Sequence, residues 1–401
     1  MSDAPGDEVA IILNDLTEFY SIRDAIDEIL KSDICVDILV ASNYSKKLAS
    51  ETERAIKNAG YRVASVSKKH YKILLEPYPS KEGDILKFDY RIKFRYAPIS
   101  TKINPVYSPS WNLPYDAFIV HSKRDADAFS VYGEVYLIPY FKFSNFKKLK
   151  HHGKPNLLFL PTFGGVSSIE DIDNSTINTL KRKYNVIVKA HHAVQYKDGE
   201  SDNYEKIKNI ADDFYESDTP LLALLAEADV VLSDNSSAIF DAIYAEIPVA
   251  IFSSKHKLNQ KKLGSINTPQ FELAETGVIP CAEVGEQIDD TLTRAITLLP
   301  DQKKLKEGMF VFESDESPIR FVSVIKIYLS RNKDQDTIYR SRELLRYSWQ
   351  DGRNAATKIA DLRQELTRLQ NKIESYENSK SWRITKPLRV VNKSRRKNEI
   401  E

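Results

Sequence analysis

The sequence predicts an α/β protein: two parallel-sheet domains facing a cleft, followed by a C-terminal coiled-coil helix and a basic tail. Three observations carry that expectation. Short apolar runs alternate with segments of helical period along most of the chain, the alternation breaks near Lys150 and restarts at Asn156, and after about residue 335 a seven-residue apolar repeat replaces it. Strand and helix signals in alternation imply a parallel sheet covered by helices. A chain of 401 residues is also too long for one ordinary core. The expected domains are 1–150, 151–335, a helical coiled-coil segment 336–378 and a tail 379–401.

Composition narrows the class. Hydrophobic residues make up 42% and aromatics 10%, which is globular. The 58 Lys and Arg against 57 Asp and Glu leave a net charge of +1, so no global basic field collects nucleic acid and no nucleic-acid partner is expected. Cys35 and Cys281 lie far apart and make neither a disulfide framework nor a metal motif, which fits a reducing cytoplasm. Residues 1–8 are small and acidic, and no run approaches the roughly 18 apolar residues needed to cross a bilayer. Neither an export signal nor a membrane span is expected.

In the first half, Glu8 to Leu13 reads as a strand and Phe19 to Leu30 as a helix, with Ile22, Ile26, Ile29 and Leu30 on one face. Cys35 to Val40 is the next strand, Lys46 to Asn58 a helix closed by Gly60, and Tyr61 to Val66 a further strand. Between Tyr71 and Pro114 the sequence becomes aromatic, basic and proline-rich. Lys87, Arg91, Lys93, Arg95 and Lys102 interleave with Phe88, Tyr90, Phe94 and Tyr96. That pattern fits a surface for an anionic, sugar-like acceptor, or an alternating strand whose basic face is merely solvated. The solvated strand is the plainer reading. Tyr115 to Val120 and Glu134 to Pro139 are strands flanking the short helix Lys123 to Phe129, and the basic, aperiodic stretch ending in Gly153-Lys154-Pro155 marks the boundary.

The second half restarts with the strand Asn156 to Leu160, the loop P-T-F-G-G, a polar helix from about Ile169 to Lys183 and the strand Tyr184 to Lys189, which runs into Ala190-His191-His192. A helix is expected near Tyr204 to Asp213. Leu221 to Leu225 is helical, Asp229 to Leu232 a buried strand, Ser233 to Ser237 a polar turn into a helix, and Val249 to Phe252 a strand. Phe271 to Pro280 reads as a short strand, and Ile288 to Leu299 and Pro318 to Ser330 as closing helices.

From Ala355 through Ile359, Leu362, Leu366, Leu369 and Ile373 to Tyr376, apolar residues fall at spacings of 4 and 3 by turns. That is a heptad seam, and its narrowness points to a homo-oligomer through a coiled coil. Between Ser379 and Lys397 stand eight Lys or Arg and no acid, mixed with Trp382, Ile384, Leu388 and Val390. Such a tail suits an anionic membrane surface.

In open α/β sheets ligands bind beyond the carboxyl ends of the strands. Three turns of the second half occupy that place: Pro161 to Gly165, Lys189 to His192 and Ser233 to Ser237. The last aims backbone N–H groups and the positive end of a helix at whatever lies above it, and its hydroxyls suit a phosphate. The same residues also make an ordinary helix cap. His191 at a strand end is a candidate general base. His191 and His192 point opposite ways with no third ligand spaced to help, so no metal is expected. Neither G-x-G-x-x-G nor a Walker lysine is present, so no cofactor of those kinds is expected.

The stretch L-L-A-E-A-D-V-V-L-S-D-N-S-S-A-I-F-D-A-I-Y-A-E-I-P-V-A-I-F resembles the nucleotide-binding signature of the CDP-glycerol glycerophosphotransferase family, the teichoic-acid and capsule polymer transferases. Ser233, Asp234, Ser236, Ser237, Phe240, Asp241, Pro248 and Val249 carry the resemblance. Leu160 to Phe163 is similar to the family's Pro-Thr-Phe strand end and Val188 to His191 to its Lys-x-His. The first half departs from the pattern: where the family has a His-Gly motif, near Arg95 to Lys102, this chain has R-Y-A-P-I-S-T-K, and Gly164 stands where the family often has arginine.

The resemblance implies a GT-B fold of two Rossmann-like domains, the first acceptor-side and the second donor-binding. It implies attack of an acceptor hydroxyl on the β-phosphorus of a CDP-activated polyol, with CMP leaving. His191 is then the catalytic candidate. Thr162, Gly164, Lys189, Ser233, Asp234, Ser236, Ser237 and Asp241 are the donor and phosphate candidates, and Arg95, Lys102 and His121 the acceptor-side ones; His70, His121 or an acidic residue are the alternatives to the missing histidine, or His191 acts alone. The tail motif S-W-R-I-T-K-P-L-R resembles one that follows coiled coils in bacterial glycan-assembly glycosyltransferases. The expected setting is envelope polysaccharide synthesis, cytoplasmic and peripheral to the inner face of the membrane, with a glycan or lipid-linked acceptor. A nucleotide-sugar glycosyltransferase on the same scaffold and a non-catalytic scaffold of an assembly complex remain alternatives.

Overall fold

The computed structural model describes residues 8–41, 46–65, 70–150, 152–191, 194, 201–216, 218–311, 316–333, 352, 358 and 366–372. The chain falls into two compact units, Met1–Arg342 and Glu343–Glu401. Two six-stranded sheets organise the larger one. The first holds β1 (Glu8–Leu13), β2 (Cys35–Val40), β3 (His70–Glu76), β4 (Lys87–Phe94), β5 (Ala117–Val120) and β6 (Glu134–Leu137) in the order β2-β1-β3-β4-β5-β6. The second holds β7 (Asn156–Leu160), β8 (Asn185–Lys189), β9 (Asp213–Tyr215), β10 (Val230–Ser233), β11 (Val249–Phe252) and β12 (Cys281–Ala282) in the order β12-β11-β10-β7-β8-β9. Every pairing in both sheets is parallel.

The strand order reverses direction between β1 and β3 in the first sheet and between β7 and β10 in the second. Chain leaving two neighbouring strands to opposite sides opens a crevice at their carboxyl ends, where ligands of such sheets bind. The expected α/β class and the two-sheet layout are thus observed.

Local chemistry explains the elements. Helix Leu16–Lys31 starts where Asp15 accepts from Glu18 N at 3.0 Å, and the Glu18 carboxylate accepts in turn from Asn14 N at 2.6 Å. This reciprocal cap satisfies N–H groups that a helix start leaves open. Ile22, Ala25, Ile26 and Ile29 then face the core of the first sheet.

Three expectations about elements fail. The strand expected at Tyr61 to Val66 survives, among the described residues, as one bridge from Val63 to Ile38; the third strand is His70–Glu76, whose Ile73, Leu74 and Leu75 are fully buried, as in strands covered on both faces. Phe271 to Pro280 is not a strand. Thr268 accepts from Phe271 N, Pro269 opens the helix Pro269–Thr276, and Gly277 closes it at φ 70°, a start and stop pattern visible in the sequence. The basic face of β4 is not solvated either. β4 lies inside the sheet, and Arg91, Lys93 and Arg95 are 1%, 0% and 2% exposed. Arg91 Nε donates to Glu76 Oε1 at 2.6 Å, and Lys93 Nζ to Asn112 Oδ1 at 2.8 Å.

Helix Ser317–Ser330 also crosses the expected boundary. Phe321, Val322, Val324, Ile325 and Tyr328 pack in the core of the first sheet, and Arg331 forks onto Glu134 at 3.0 and 2.8 Å. Its apolar stripe supplies cover to the first sheet, so a second domain drawn as 151–335 cuts this helix from the core that it completes. In the smaller unit, residues 366–372 are helical, with Leu366 and Leu369 exposed. Ala355, Ile359, Leu362, Ile373 and Tyr376 of the heptad seam, and the basic tail, lie outside the described residues.

Candidate active site

The second domain forms the floor of a cleft from the carboxyl ends of β7, β8 and β10, the strands around its crevice. Asp234, fully buried, fixes the geometry: Oδ1 accepts from Thr162 N at 2.8 Å, and Oδ2 from Ser168 N and Oγ, each at 3.0 Å. The loop after β7 is thereby tied to the turn after β10. Burial pushes the Asp234 carboxyl up to about 7, against the opposing pull of the Ser168 and Thr162 donors. Ser233 Oγ donates to Leu160 O at 2.7 Å. Asp234 and Ser233 therefore lie beneath the site and position it; contrary to the donor reading, neither lines the cleft.

Gly164 serves the same loop. It adopts φ 71° and its carbonyl accepts from Ser167 N at 2.8 Å, a left-handed turn in which a Cβ is strained. It is absent from the lining of the cleft among the described residues.

Two adjoining pockets occupy the cleft. One lies over Lys189, Ser236, Ser237 and Asp241 and is roofed by Thr17, Ser21 and Lys142. The other runs from Thr162 and Gln270 in the second domain to Tyr78, Arg95 and Lys102 in the first. Tyr96, Ala97, His191, Ser236 and Ser237 line both. Ser237 caps helix Ala238–Tyr244 with no bond from its own side chain to the helix backbone, whereas Ser236 Oγ accepts from Ala238 N at 3.3 Å. The expected helix cap is thus made weakly, by Ser236. The half-buried His191 ring packs against Phe163 at 4.6 Å between centroids.

Positive charge concentrates here. Lys189 Nζ donates to Glu216 O at 2.9 Å, and burial pulls it down to about 8 although Asp218 opposes the shift. Lys142 Nζ reaches across to Asp241 Oδ1 at 2.8 Å, both side chains being buried. Burial raises the Asp241 carboxyl, and Lys142 restrains the rise. A carboxylate so placed accepts from ammonium or hydroxyl groups rather than from phosphate, so Asp241 belongs to the site but not as an anion ligand.

The first-domain candidates divide. His121 is fully buried, with Nδ1 3.1 Å from Ile138 O and Nε2 2.9 Å from Arg95 O. Burial pushes its ring down to about 4, against the pull of those carbonyls. It braces the chain beside Arg95 and cannot meet a substrate. His70 pairs with Asp89 at 3.1 Å, at the opposite end of β3 from the cleft. Arg95 and Lys102 do line the cleft. Arg95 Nε stands 3.9 Å from Asp125 Oδ2, a carboxylate already held by Ser100 N at 3.0 Å and Ser100 Oγ at 2.7 Å.

Among the described residues, Arg95 Nε and Nη1 have no hydrogen-bond partner, and neither do Gln270 Nε2 and Oε1, although both residues are buried. A buried polar group left so costs about 1–3 kcal/mol. Lys142 and Gln270 escaped the sequence reading. Lys142 sits between two phenylalanines in what reads as a boundary stretch, and Gln270 follows the Thr268-Pro269 cap that marks a helix start. His192 lies outside the described residues. Among those described, no group of three or more His, Cys, Asp or Glu is arranged to hold a metal ion, and no helix is long and apolar enough to cross a membrane.

Residues 149–268, which contain the β7, β8 and β10 turns, match the family model CDP-Glycerol:Poly(glycerophosphate) glycerophosphotransferase. Over these residues, about a third of the chain, the sequence is similar to that family. No curated protein sequence matches it significantly. Among solved structures, the Wall Teichoic Acid Polymerase TagF, as a single-residue variant, is similar at a TM-score of 0.51 and 11% identity, over 81% of this chain and 89% of that one. The same polymerase soaked with CDPG is similar at a TM-score of 0.50 and 12% identity, over 81% and 89%. A UDP-N-acetylglucosamine 2-epimerase is similar at 0.50 and 12%, over 82% and 97%. At these identities the structures speak for the fold alone: the GT-B arrangement expected from the glycerophosphotransferase resemblance.

Proposed function

We propose that this chain is a cell-envelope polyol-phosphate transferase, moving a polyol-phosphate unit from a CDP-activated donor to a hydroxyl of a glycan or lipid-linked acceptor. The family match over the second domain supports the reaction class. One observation carries the assignment to this cleft: His191, Ser236 and Ser237 line both pockets, one opening over the second domain and the other toward the first. Groups shared by two adjoining pockets stand where a donor and an acceptor would meet.

In this reading the diphosphate lies over Ser236 and Ser237, whose hydroxyls and the N–H groups behind them donate to its oxygens. Lys189 and Lys142 offset its charge. An acceptor oxygen attacks the β-phosphorus, the new P–O bond forms as the bond to CMP breaks, and His191 takes the proton of the acceptor hydroxyl. Asp241 holds Lys142 toward the site. The cleft is roofed by the first domain, which limits the water that could compete as nucleophile.

The coiled-coil segment and tail complete the proposal. Exposed Leu366 and Leu369 on helical residues 366–372 support a seam that a second copy covers, and the eight basic residues between Ser379 and Lys397 would hold the enzyme on the inner membrane surface. The test is nucleotide release. Full-length protein with a membrane fraction as acceptor should liberate CMP from CDP-glycerol or CDP-ribitol, and Ser236→Ala/Ser237→Ala should slow it about 10²–10³-fold; release of UDP from a sugar nucleotide, with none of CMP, would overturn the reading.

A further inference from the structure

The second pocket of the cleft is built for something the donor does not supply. Arg95 comes from the carboxyl end of β4 and Gln270 from the first turn of helix Pro269–Thr276, so the two domains contribute one polar side chain each. Gln270 is 0% and Arg95 2% exposed. Among the described residues, Nε and Nη1 of the arginine and both polar atoms of the glutamine lack partners. Exchanging the oxygen and nitrogen of the glutamine changes nothing, since neither is engaged.

Charge along β4 sharpens the point. Arg91 lies against the Glu76 carboxylate; two residues on, Lys93 bonds the neutral Asn112 amide. At the cleft end, Arg95 has its nearest carboxylate 3.9 Å away. A guanidinium stays protonated even when buried; Asp125 and the Tyr78 hydroxyl meet part of its charge, and Nε and Nη1 still offer hydrogens to an acceptor. Lys102 and Lys261 add two more cations to the lining, and no carboxylate lines the pocket among the described residues. Gln270 asks for more than charge: Nε2 needs an acceptor and Oε1 a donor, which a phosphate with a neighbouring hydroxyl provides together.

We infer that this pocket is a subsite for a phosphorylated polyol or sugar on the acceptor, its phosphate against Arg95 and its hydroxyl against Gln270. The inference rests on the donor reading of Ser236 and Ser237, because the shared residue His191 then joins the two subsites. The same chemistry could instead come from the donor's own phosphates reaching across the cleft. Titrations separate the two.

Full-length wild type, Arg95→Gln and Gln270→Leu are titrated with CDP, and then, at saturating CDP in phosphate-free buffer, with glycerol 3-phosphate as the probe. The expected result is that the wild type binds the probe, that R95Q weakens it about tenfold or more and Q270L about threefold, and that CDP affinity changes less than twofold in either. Probe binding equal in all three proteins, or a loss that falls on CDP instead, would overturn the subsite. If R95Q does not fold, Q270L alone decides, by the same criterion. Failure of CDP to bind the wild type would contradict the donor reading instead, and the glycerol 3-phosphate arm, run without CDP, would still judge the subsite.

Discussion

The two domains share a fold but build their halves of the cleft by opposite means. The second uses short hydroxyl side chains and backbone N–H groups on turns at the crevice between β7 and β10, with a buried carboxylate, Asp234, tying two of those turns together. The first sends long cations along a central strand, Arg91, Lys93 and Arg95, with carboxylate compensation falling toward the cleft. The contrast teaches that a phosphate site can be set by loop geometry or by a charge held in a core. Loop geometry tolerates little change in chemistry, whereas a buried charge ties ligand binding to stability.

Substitutions should separate these two designs. His191→Ala carries the largest expected effect, a fall of about 10²–10⁴-fold in CMP release at saturating donor; wild-type turnover would remove His191 from the chemistry. Ser236→Ala/Ser237→Ala should follow, at about 10²–10³-fold, without a matching drop in melting temperature. Lys142→Met works chiefly through stability. It strands the buried Asp241 carboxylate and should cost about 3–5 kcal/mol in denaturant unfolding, most of which the double variant Lys142→Met/Asp241→Leu should recover. No recovery would show that Lys142 acts by packing alone.

Asp234 gives a pH signature. Its folded value near 7 lies above the ordinary carboxylate value of 3.8, so the native state binds more protons than the unfolded one between those limits. The stability it contributes is complete below the unfolded value and fades as pH rises through about 7. Asp234→Asn does not titrate and turns one amide hydrogen toward a backbone donor. The stability advantage of wild type over this variant should therefore shrink from pH 5 to pH 8; an advantage that grows would reverse the assignment. Arg124→Ala should matter least. That residue pairs across the domains with Glu272 and bonds Asn267 O at 3.0 Å, but the Glu272 side chain is 46% exposed, and solvent-screened pairs contribute about 0–1 kcal/mol.

Legibility from sequence follows the same divide. Between β7 and β11 apolar runs, turn residues and motif spacing all agree, so the strands and the Ser236-Ser237 turn could be read directly. What could not be read was which residues of that motif face the ligand: Ser233 and Asp234 look as reactive as Ser236, and only their bonds to Leu160 and to Thr162 and Ser168 place them below the floor. In the first domain the basic residues of β4 looked solvated because alternation reports period and not depth. Their burial depends on β3 and β5 lying on either side, a tertiary fact. His121 misled for a related reason, since a histidine at a strand end can turn inward to backbone carbonyls as readily as outward. Helix Pro269–Thr276 was the avoidable error, its Thr-Pro start and Gly277 stop being present in the sequence.

The central claim is that a donor diphosphate sits on the second domain's turns with His191 between it and the first domain. A structure of the full-length chain soaked with CDP-glycerol tests this most directly. The diphosphate is predicted within hydrogen-bond distance of the Ser236 and Ser237 hydroxyls, with the β-phosphorus facing His191 and the Arg95 pocket left open. A diphosphate seated against Arg95 and Gln270, with Ser236 and Ser237 making no contact, would contradict it.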